Sequence, residues 1–136
     1  MARKSWTEKL LDPKPHEVKP APVSIAGMKK GEIMLVPTPG MIDAFIRAIP
    51  RGVSMDISSL RKTLAARHGA EVTCPITTGL HLRTVAEAAS EAYQSGASLD
   101  EITPFWRVLD ERTTTAKKLS AGFDLIVAQR RLEGLA

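Results

Sequence analysis

Two stretches in the first half of the chain place apolar residues at the spacing of an amphipathic helix. The first lies between positions 41 and 49 and ends at Pro50-Arg51-Gly52, where proline and glycine interrupt the pattern. The second predicts a helix over Asp56–His68, with Ser54 or Asp56 as its N-cap. Gly69 suits the position after this helix, because glycine adopts the left-handed conformation without strain.

Two further helices are predicted in the second half of the chain. The third helix would begin at Thr77 or Thr78, either of which can cap it. The last helix would begin near Ser120–Gly122 and would leave Arg130 and Arg131 exposed. The buried stripe of the third helix is predicted from small and branched residues at helical spacing, namely Leu82, Val85, Ala89 and Ala92.

The segments between these helices predict shorter elements. Ile33–Val36 is an apolar run closed by Pro37 and Pro39, and it predicts an edge strand or an extended lead-in. Positions 70–76 predict a loop, because a proline interrupts them. Thr103–Leu109 alternates enough to predict a strand, and the polar stretch Asp110–Lys118 predicts a turn or a wing.

The predicted order of elements is helix, helix, loop, helix, strand, turn, helix. Two consecutive helices followed by a short β-element form the plan of a winged helix-turn-helix, which docks on DNA. We therefore expect a mainly α (α+β) fold, with a winged helix-turn-helix DNA-binding domain over positions 37–136.

The first 36 residues predict a flexible or extended N-terminal arm. Positions 1–32 hold seven Lys or Arg against four Asp or Glu, with four prolines interleaved. Such a segment buries little apolar surface by itself. The net charge of +4 over the whole chain permits a polyanionic partner. The composition fits an arm that binds such a partner, and it fits a disordered N-terminal segment without a function equally well.

Composition narrows the chemistry. A chain of 136 residues with 43% hydrophobic and 25% charged residues fits one globular domain. No apolar run is long enough to span a bilayer, and the charged N-terminus lacks the apolar segment of a signal peptide, so we expect a cytoplasmic location. Cys74 is the single cysteine and the three histidines lie in different segments, so we expect no disulfide, metal or cofactor.

Several short motifs occur in an order that resembles one known family. Ile49-Pro50-Arg51-Gly52-Val53 resembles the motif I-P-x-G-x-V, and Leu82-Arg83-Thr84-Val85 resembles the A-R-x-V of a recognition helix. Pro104-Phe105-Trp106-Arg107-Val108 occupies the place of a P-C-H-R-V active-site motif. Ser120-Ala121-Gly122 and Glu133-Gly134 resemble an S-G-G loop and a closing E-G. From about position 45 to position 134, the chain is similar to the C-terminal domain of the O6-alkylguanine-DNA alkyltransferases.

The departures from that family bear on the reaction. In the family a cysteine accepts the alkyl group of a flipped guanine, assisted by a histidine and a glutamate. Those three places hold Phe105, Trp106 and Val127 in this chain. A benzyl side chain has no lone pair to offer an alkyl carbon, so we expect no alkyl transfer at this site. The chain most resembles the alkyltransferase-like proteins, which carry tryptophan in place of the cysteine and flag alkylated DNA for excision repair.

The resemblance implies a non-enzymatic protein that binds double-stranded DNA and recognises alkylated or flipped bases in DNA repair. It implies a cytoplasmic, DNA-associated monomer, with a repair protein as a further partner and no membrane contact. Three alternatives stay open. The chain could be a winged-helix protein that binds intact DNA without flipping a base, a methyltransferase that uses Cys74, or a protein-interaction module.

The resemblance also assigns candidate site residues. Arg83 corresponds to the arginine finger that fills the space of an everted nucleotide, and the alternative is a solvated helix arginine. The base pocket would consist of Phe105, Trp106, Arg107 and Ser120. Phe105 fits a pocket wall and a core position equally, whereas packing in the core is favoured for Trp106 and a satisfied buried arginine for Arg107. Ser120 would close over the base, cap the last helix, or do both.

The remaining DNA contacts are hydroxyls and cations whose positions near the second and third helices and the wing suit phosphate groups. Each of them is, taken singly, more often a solvated surface residue than a critical contact. They are Thr77, Thr78, Thr84, Arg61, Lys117 and Lys118.

Overall fold

The computed structural model describes residues 5–135 and shows a mixed α+β fold. Residues 1–4 and Ala136 lie outside this range, so the parts of the predicted arm and domain that fall on them are not described. The described residues form six α-helices, three short strands and one 3-10 turn. In chain order these are α1 (Trp6–Leu10), β1 (Glu17–Pro20), β2 (Ile33–Val36), α2 (Pro39–Arg47), α3 (Ile57–Arg67), β3 (Val72–Thr73), α4 (Pro75–Gln94), the 3-10 turn (Phe105–Arg107), α5 (Thr114–Lys117) and α6 (Asp124–Leu132).

Helices α2 and α3 confirm the first two predicted helices. The Asp56 carboxylate accepts a hydrogen bond from the Ser59 N–H at 2.7 Å, which makes Asp56 the N-cap of α3. Gly69 follows this helix with φ of +66°, the left-handed conformation predicted for it. Helix α2 ends before Pro50-Arg51-Gly52, where the apolar pattern also breaks.

Helix α4 begins earlier than predicted. Its N-cap is Cys74 and its first residue is Pro75, rather than a start at Thr77 or Thr78. Proline fits this position because its φ is already helical and the first N–H of a helix has no partner within the helix. The predicted buried stripe is confirmed at Leu82, Val85 and Ala89, and Ala92 is partly buried.

The predicted edge strand Ile33–Val36 is instead the central strand of a three-stranded sheet, in the order β1-β2-β3. On one side β1 pairs with β2 in antiparallel register, with Val18 opposite Leu35. On the other side Leu35 pairs in parallel with Thr73, which lies within the stretch predicted to be a loop. Neither β1 nor β3 shows a clear strand periodicity in its own sequence, so the pairing of both with β2 was not predicted.

The described part of the predicted arm has regular structure. Residues 5–36 contribute α1, β1 and β2, where the composition predicted a flexible or extended arm. Three buried residues of this segment, Ala21, Met28 and Met34, join Cys74 in a small apolar cluster separate from the main core. Burial of this cluster and the backbone pairing of β1 together hold the segment in place.

The predicted strand over Thr103–Leu109 is wrong, because Phe105–Arg107 forms a 3-10 turn. The Val108 N–H donates to the Phe105 carbonyl at 3.2 Å, the i→i−3 bond that closes such a turn. A turn does not send successive side chains to opposite faces, so Phe105 and Trp106 are both buried, with ring centroids 5.5 Å apart. Positions 110–118, predicted to be a turn or a wing, contain α5 and no strand.

Helix α6 begins at Asp124, after Gly122 adopts φ of +75° and ends the preceding turn. Arg130 was predicted to be exposed and is buried, because its Nη1 donates to the Trp106 carbonyl at 2.8 Å. Arg131 is exposed as predicted. Within residues 5–135 no helix combines the length and apolarity needed to cross a bilayer. The same residues bring no set of three metal-ligating side chains together.

Candidate nucleic-acid interface

Helix α1 lies against α4 and places Trp6 beside the predicted arginine finger. The Cζ atom of Arg83 lies 5.2 Å from the centroid of the Trp6 ring, and the Nζ atom of Lys9 lies 4.1 Å from that ring. Both distances fall within the range of cation–π attraction. The side chain of Arg83 is 37% exposed, so this cluster of one indole and two cations lies at the protein surface.

A buried carboxylate also contacts Arg83. Glu87 lies one turn later on α4, its side chain is 2% exposed, and its Oε2 lies 3.5 Å from Arg83 Nε. The same carboxylate accepts hydrogen bonds from Ser120 N–H at 3.0 and 3.2 Å and from Ser120 Oγ at 2.8 Å. Arg83 Nε itself has no hydrogen-bond partner within residues 5–135. The fold thus brings two residues of the predicted site, Arg83 and Ser120, to one carboxylate.

A surface cavity of about 350 Å³ opens between α1 and α4. Trp6, Lys9 and Arg83 line it, together with Asp12 and His81. Burial lowers the pKa of His81 below its usual value of 6.5, against smaller opposite effects of a backbone hydrogen bond and of Asp12. This histidine is therefore mostly neutral at pH 7, and the charges lining the cavity are two cations and one carboxylate.

The second arginine of the resemblance, Arg107, lies in a different environment. Its Nε donates to Glu133 Oε1 at 2.9 Å, its Nη2 donates to Glu133 Oε2 at 3.0 Å, and its Nη1 donates to the Ile49 carbonyl at 2.8 Å. The Glu133 carboxylate also accepts from Trp106 Nε1 at 2.6 Å and from the Gly52 N–H at 2.9 Å. Arg107 is a satisfied, largely buried arginine that connects the end of α6 to the 3-10 turn and the segment after α2.

The pKa of Glu133 records this environment. Burial alone would raise the pKa, but hydrogen bonds from Arg107, Gly52 and Trp106 and the charge of Arg107 outweigh it. The net effect lowers the pKa from 4.5 to about 2. Glu133 is therefore ionised at neutral pH and has a structural role here.

Phe105 does not offer a face to a flipped base in this structure. Its side chain is 1% exposed and belongs to the main core. Trp106 is also buried, although its edge lines a surface cavity of about 410 Å³ that includes Arg51 and Arg107. The predicted base pocket of Phe105, Trp106, Arg107 and Ser120 is thus divided, with Ser120 on the α4 side and the other three around the 3-10 turn.

Two of the three threonines predicted to contact phosphate point into the protein. The Thr78 hydroxyl is fully buried and donates to the Cys74 carbonyl at 2.7 Å. The Thr84 hydroxyl is nearly buried and donates to the Leu80 carbonyl at 3.1 Å. Such i−4 bonds are common for hydroxyls inside helices. Thr78 has no surface left for a phosphate, whereas Thr84 keeps a small exposed area that lines the cavity between α1 and α4. Thr77 is partly exposed.

The cations predicted to contact phosphate differ in exposure. Arg61 is half-buried and donates from Nε and Nη2 to the Thr73 carbonyl at 3.1 and 2.9 Å, so it ties α3 to β3. Lys117 and Lys118 are exposed at the end of α5, which packs against α4. The two lysines remain available to a polyanion, whereas Arg61 is engaged within the fold.

Cys74 is the N-cap of α4, nine positions before Arg83 on the same helix. Its Sγ accepts hydrogen bonds from Thr77 N–H at 3.5 Å and Thr77 Oγ at 3.2 Å, and the residue is buried. Val127, in the place of the family glutamate, is partly buried on α6. Cys74 and Val127 thus lie on different elements from the 3-10 turn that carries Phe105.

Three residues around Arg83 were not selected from the sequence: Trp6, Lys9 and the buried Glu87. Glu87 carries a usable signal, because a carboxylate four positions after an arginine on a helix reaches it. Trp6 and Lys9 are three positions apart in a segment predicted to lack structure, so nothing local indicates that they meet α4.

Comparison with known proteins adds no family assignment: no family model, curated protein or solved structure matches the chain.

Proposed function

We propose that the protein is a non-enzymatic DNA-binding protein that recognises alkylated or flipped bases in double-stranded DNA. The observation that carries the proposal is the convergence of Arg83 and Ser120 on Glu87, since Glu87 and Ser120 are 33 positions apart in sequence. The resemblance to alkyltransferases assigns Arg83 and Ser120 to one DNA-contacting site. Chance similarity of short motifs gives no reason for the two to meet in space.

The finer fold assignment belongs to this proposal. Helices α3 and α4 would form the helix-turn-helix, with the turn at positions 68–74 and α4 as the recognition helix. The segment of α5 and the loop before α6 would take the place of a wing. We place the protein in the cytoplasm on DNA, as a monomer that passes the lesion to a repair protein.

Arg83 supports this function through its position and the partial exposure of its side chain. Extrusion of a base costs a few kcal/mol of lost pairing and stacking, so a group must occupy the gap in the duplex. The Arg83 guanidinium is partly exposed and is held at its Nε side by Glu87, so it can fill that gap. Lys117 and Lys118 would contact phosphates nearby, which makes affinity fall as salt rises.

The proposal is tested by titrating matched duplexes with and without one O6-methylguanine. Wild type is expected to bind the modified duplex more tightly, and Arg83→Ala is expected to lose most of this preference. Arg112→Ala is the matched control, because Arg112 is highly exposed and forms a long ion pair with Asp110 at 3.7 Å. Equal affinity of the wild type for both duplexes would remove base recognition from the proposal.

Burial of Phe105 favours a second candidate, a protein that binds intact DNA without flipping a base. That protein would bind both duplexes alike, with affinity set mainly by salt. Mass spectrometry after incubation with the O6-methylguanine duplex addresses the remaining enzymatic alternative. A methyl group added stably to Cys74 would contradict the non-enzymatic proposal.

A further inference from the structure

We infer that the cavity between α1 and α4 is a nucleotide-binding site in which Trp6 stacks on an unpaired base and Lys9 and Arg83 neutralise its phosphate. The inference rests on the proposed binding of DNA and names the group that would hold the displaced base. Phe105 cannot supply that stack from the core, whereas Trp6 is an indole at the surface beside the arginine finger.

The local structure explains why Trp6 and Lys9 present their side chains together. Residues three positions apart on a helix are neighbours on one face, and the Lys9 ammonium lies 4.1 Å from the Trp6 ring. Ser5 caps this helix, since its Oγ accepts from the Glu8 N–H at 3.1 Å. A helix of five residues has little stability alone, so its position depends on α4.

The charges of the cavity favour an anion. Lys9 and Arg83 contribute two positive charges, Asp12 contributes one negative charge, and His81 is mostly neutral at pH 7 because burial lowers its pKa. Glu87 contacts Arg83 but is itself buried behind two hydrogen-bonding groups of Ser120. The side chains that line the cavity therefore carry two positive charges and one negative charge, and the Glu87 carboxylate behind Arg83 compensates part of the charge of that guanidinium.

An aromatic face with adjacent cations suits one chemical class in particular. A nucleotide carries a flat base and a phosphate a few ångströms away, and base stacking on aromatic side chains is tolerant of sequence. The cavity volume of about 350 Å³ lies in the usual range for small-molecule sites. Arg83 now lies over the Trp6 ring, so an arriving base would replace a cation–π contact by a stack and release the guanidinium for phosphate or for the gap in the duplex.

The test compares a duplex containing one unpaired, bulged thymidine with the same duplex fully paired. Trp6→Ala is expected to weaken binding of the bulged duplex by about 5- to 100-fold, the usual effect of removing one stacked aromatic, and to change the paired duplex little. Trp6→Phe is expected to retain most of the affinity. Tyr93→Ala is the control, because Tyr93 is an exposed aromatic about 15 Å along α4 from Arg83 at 1.5 Å per residue.

Tryptophan fluorescence gives an independent readout. The chain has two tryptophans, and Trp106 is buried and hydrogen-bonded to Glu133. Stacking of a base on Trp6 is expected to quench the emission of the wild type, and the quenching should vanish in Trp6→Phe. Lys9→Ala, which leaves the indole in place, should lower affinity and reduce the salt dependence of binding.

The outcomes separate this site from the proposed function. If the wild type binds DNA and Trp6→Ala binds the bulged duplex as tightly or more tightly, α1 is not a stacking site and the inference is overturned. Persistence of the quenching in Trp6→Phe would overturn it as well. If the wild type binds neither duplex at low salt, the proposed function fails and the nucleotide site fails with it.

Discussion

Two buried carboxylates each bind an arginine in this protein, and the two pairs differ in what they leave free. Glu133 and Arg107 have side chains 0% and 14% exposed, and the guanidinium donates to two carboxylate oxygens and a carbonyl. Glu87 is equally buried, but its partner Arg83 is 37% exposed and lies 3.5 Å away without a hydrogen bond from Nε.

Arg107 therefore stabilises the fold, whereas Arg83 can move away from its partners when a ligand binds. A guanidinium has five N–H donors in a fixed plane. All three nitrogens of the Arg107 guanidinium donate to acceptors within the protein. Arg83 is positioned by one carboxylate and one indole, neither of which takes a hydrogen bond from its Nε. The first pair has a structural role, whereas the Arg83 side chain is partly exposed and can reach a ligand.

The largest expected effect tests whether the two pairs differ in stability. Arg107→Met is expected to lower the free energy of unfolding by about 3–5 kcal/mol, because it leaves Glu133 buried without its cation. Arg83→Met is expected to cost about 1 kcal/mol, since water can replace a partly exposed guanidinium beside Glu87. Urea denaturation of the wild type and of both variants measures the difference.

Similar costs for the two variants would break the comparison. In that case Arg83 would be as structural as Arg107, and the case for a mobile finger would weaken. Arg112→Met serves as the reference for removal of a highly exposed arginine, and its expected effect on stability is close to zero.

The next effect is the pH dependence of the Glu133 pair. The pKa of Glu133 falls from 4.5 to about 2 on folding, so its contribution to stability is complete above about pH 4.5 and is lost as the pH falls toward 2. A shift of this size corresponds to a contribution on the order of 3 kcal/mol.

Denaturation curves of the wild type and Glu133→Gln between pH 2 and pH 6 isolate this contribution, since other carboxylates titrate in both. The wild type is expected to lose stability more steeply on the acid side. Parallel pH profiles would contradict a strongly lowered pKa, as would a carboxyl carbon chemical shift of Glu133 that titrates near 4.5.

Signals within short stretches of sequence predicted the main helices of this fold, but they did not predict the pairing of strands from distant segments. Helix α3 was predicted because Asp56 and Gly69 carry its capping signals within its own sequence. The central position of Ile33–Val36 was missed because it depends on β1 and on the two residues of β3. The alternation around Phe105 suggested a strand. The 3-10 turn instead buries the rings of both Phe105 and Trp106 in the core, and the stabilisation from this burial cannot be deduced from periodicity.

The candidate site shows the same division. Arg83 and Ser120 were selected through motif resemblance, and Thr78 was selected by placement although its hydroxyl satisfies a carbonyl inside α4. Trp6 was missed because its partner lies on α4, far along the chain, and its own segment has the composition of an arm. Sequence patterns thus identify residues with suitable chemistry, whereas their burial and partners require the fold.

A smaller effect concerns how Glu87 is fixed. Ser120→Ala removes the 2.8 Å bond from Ser120 Oγ but keeps the bonds from its backbone N–H, so the loss is expected to be about 1–2 kcal/mol. Ser54→Ala is the control, because Ser54 is exposed and lies in the segment between α2 and α3. If Ser120→Ala matches Ser54→Ala in thermal unfolding, the Ser120 hydroxyl does not hold Glu87.

The smallest effect is the coupling between Trp6 and Arg83, and it bears most directly on whether the arginine can be released. A double-mutant cycle of Trp6→Ala and Arg83→Ala is expected to give a coupling of about 0.5–1 kcal/mol, the usual strength of an exposed cation–π contact. Coupling of that size orients Arg83 in the free protein, and the stack or phosphate contact of a bound nucleotide can outweigh it. A coupling several times larger, comparable to that of Arg107 with Glu133, would instead make the Trp6–Arg83 contact a fixed part of the fold that blocks the cavity.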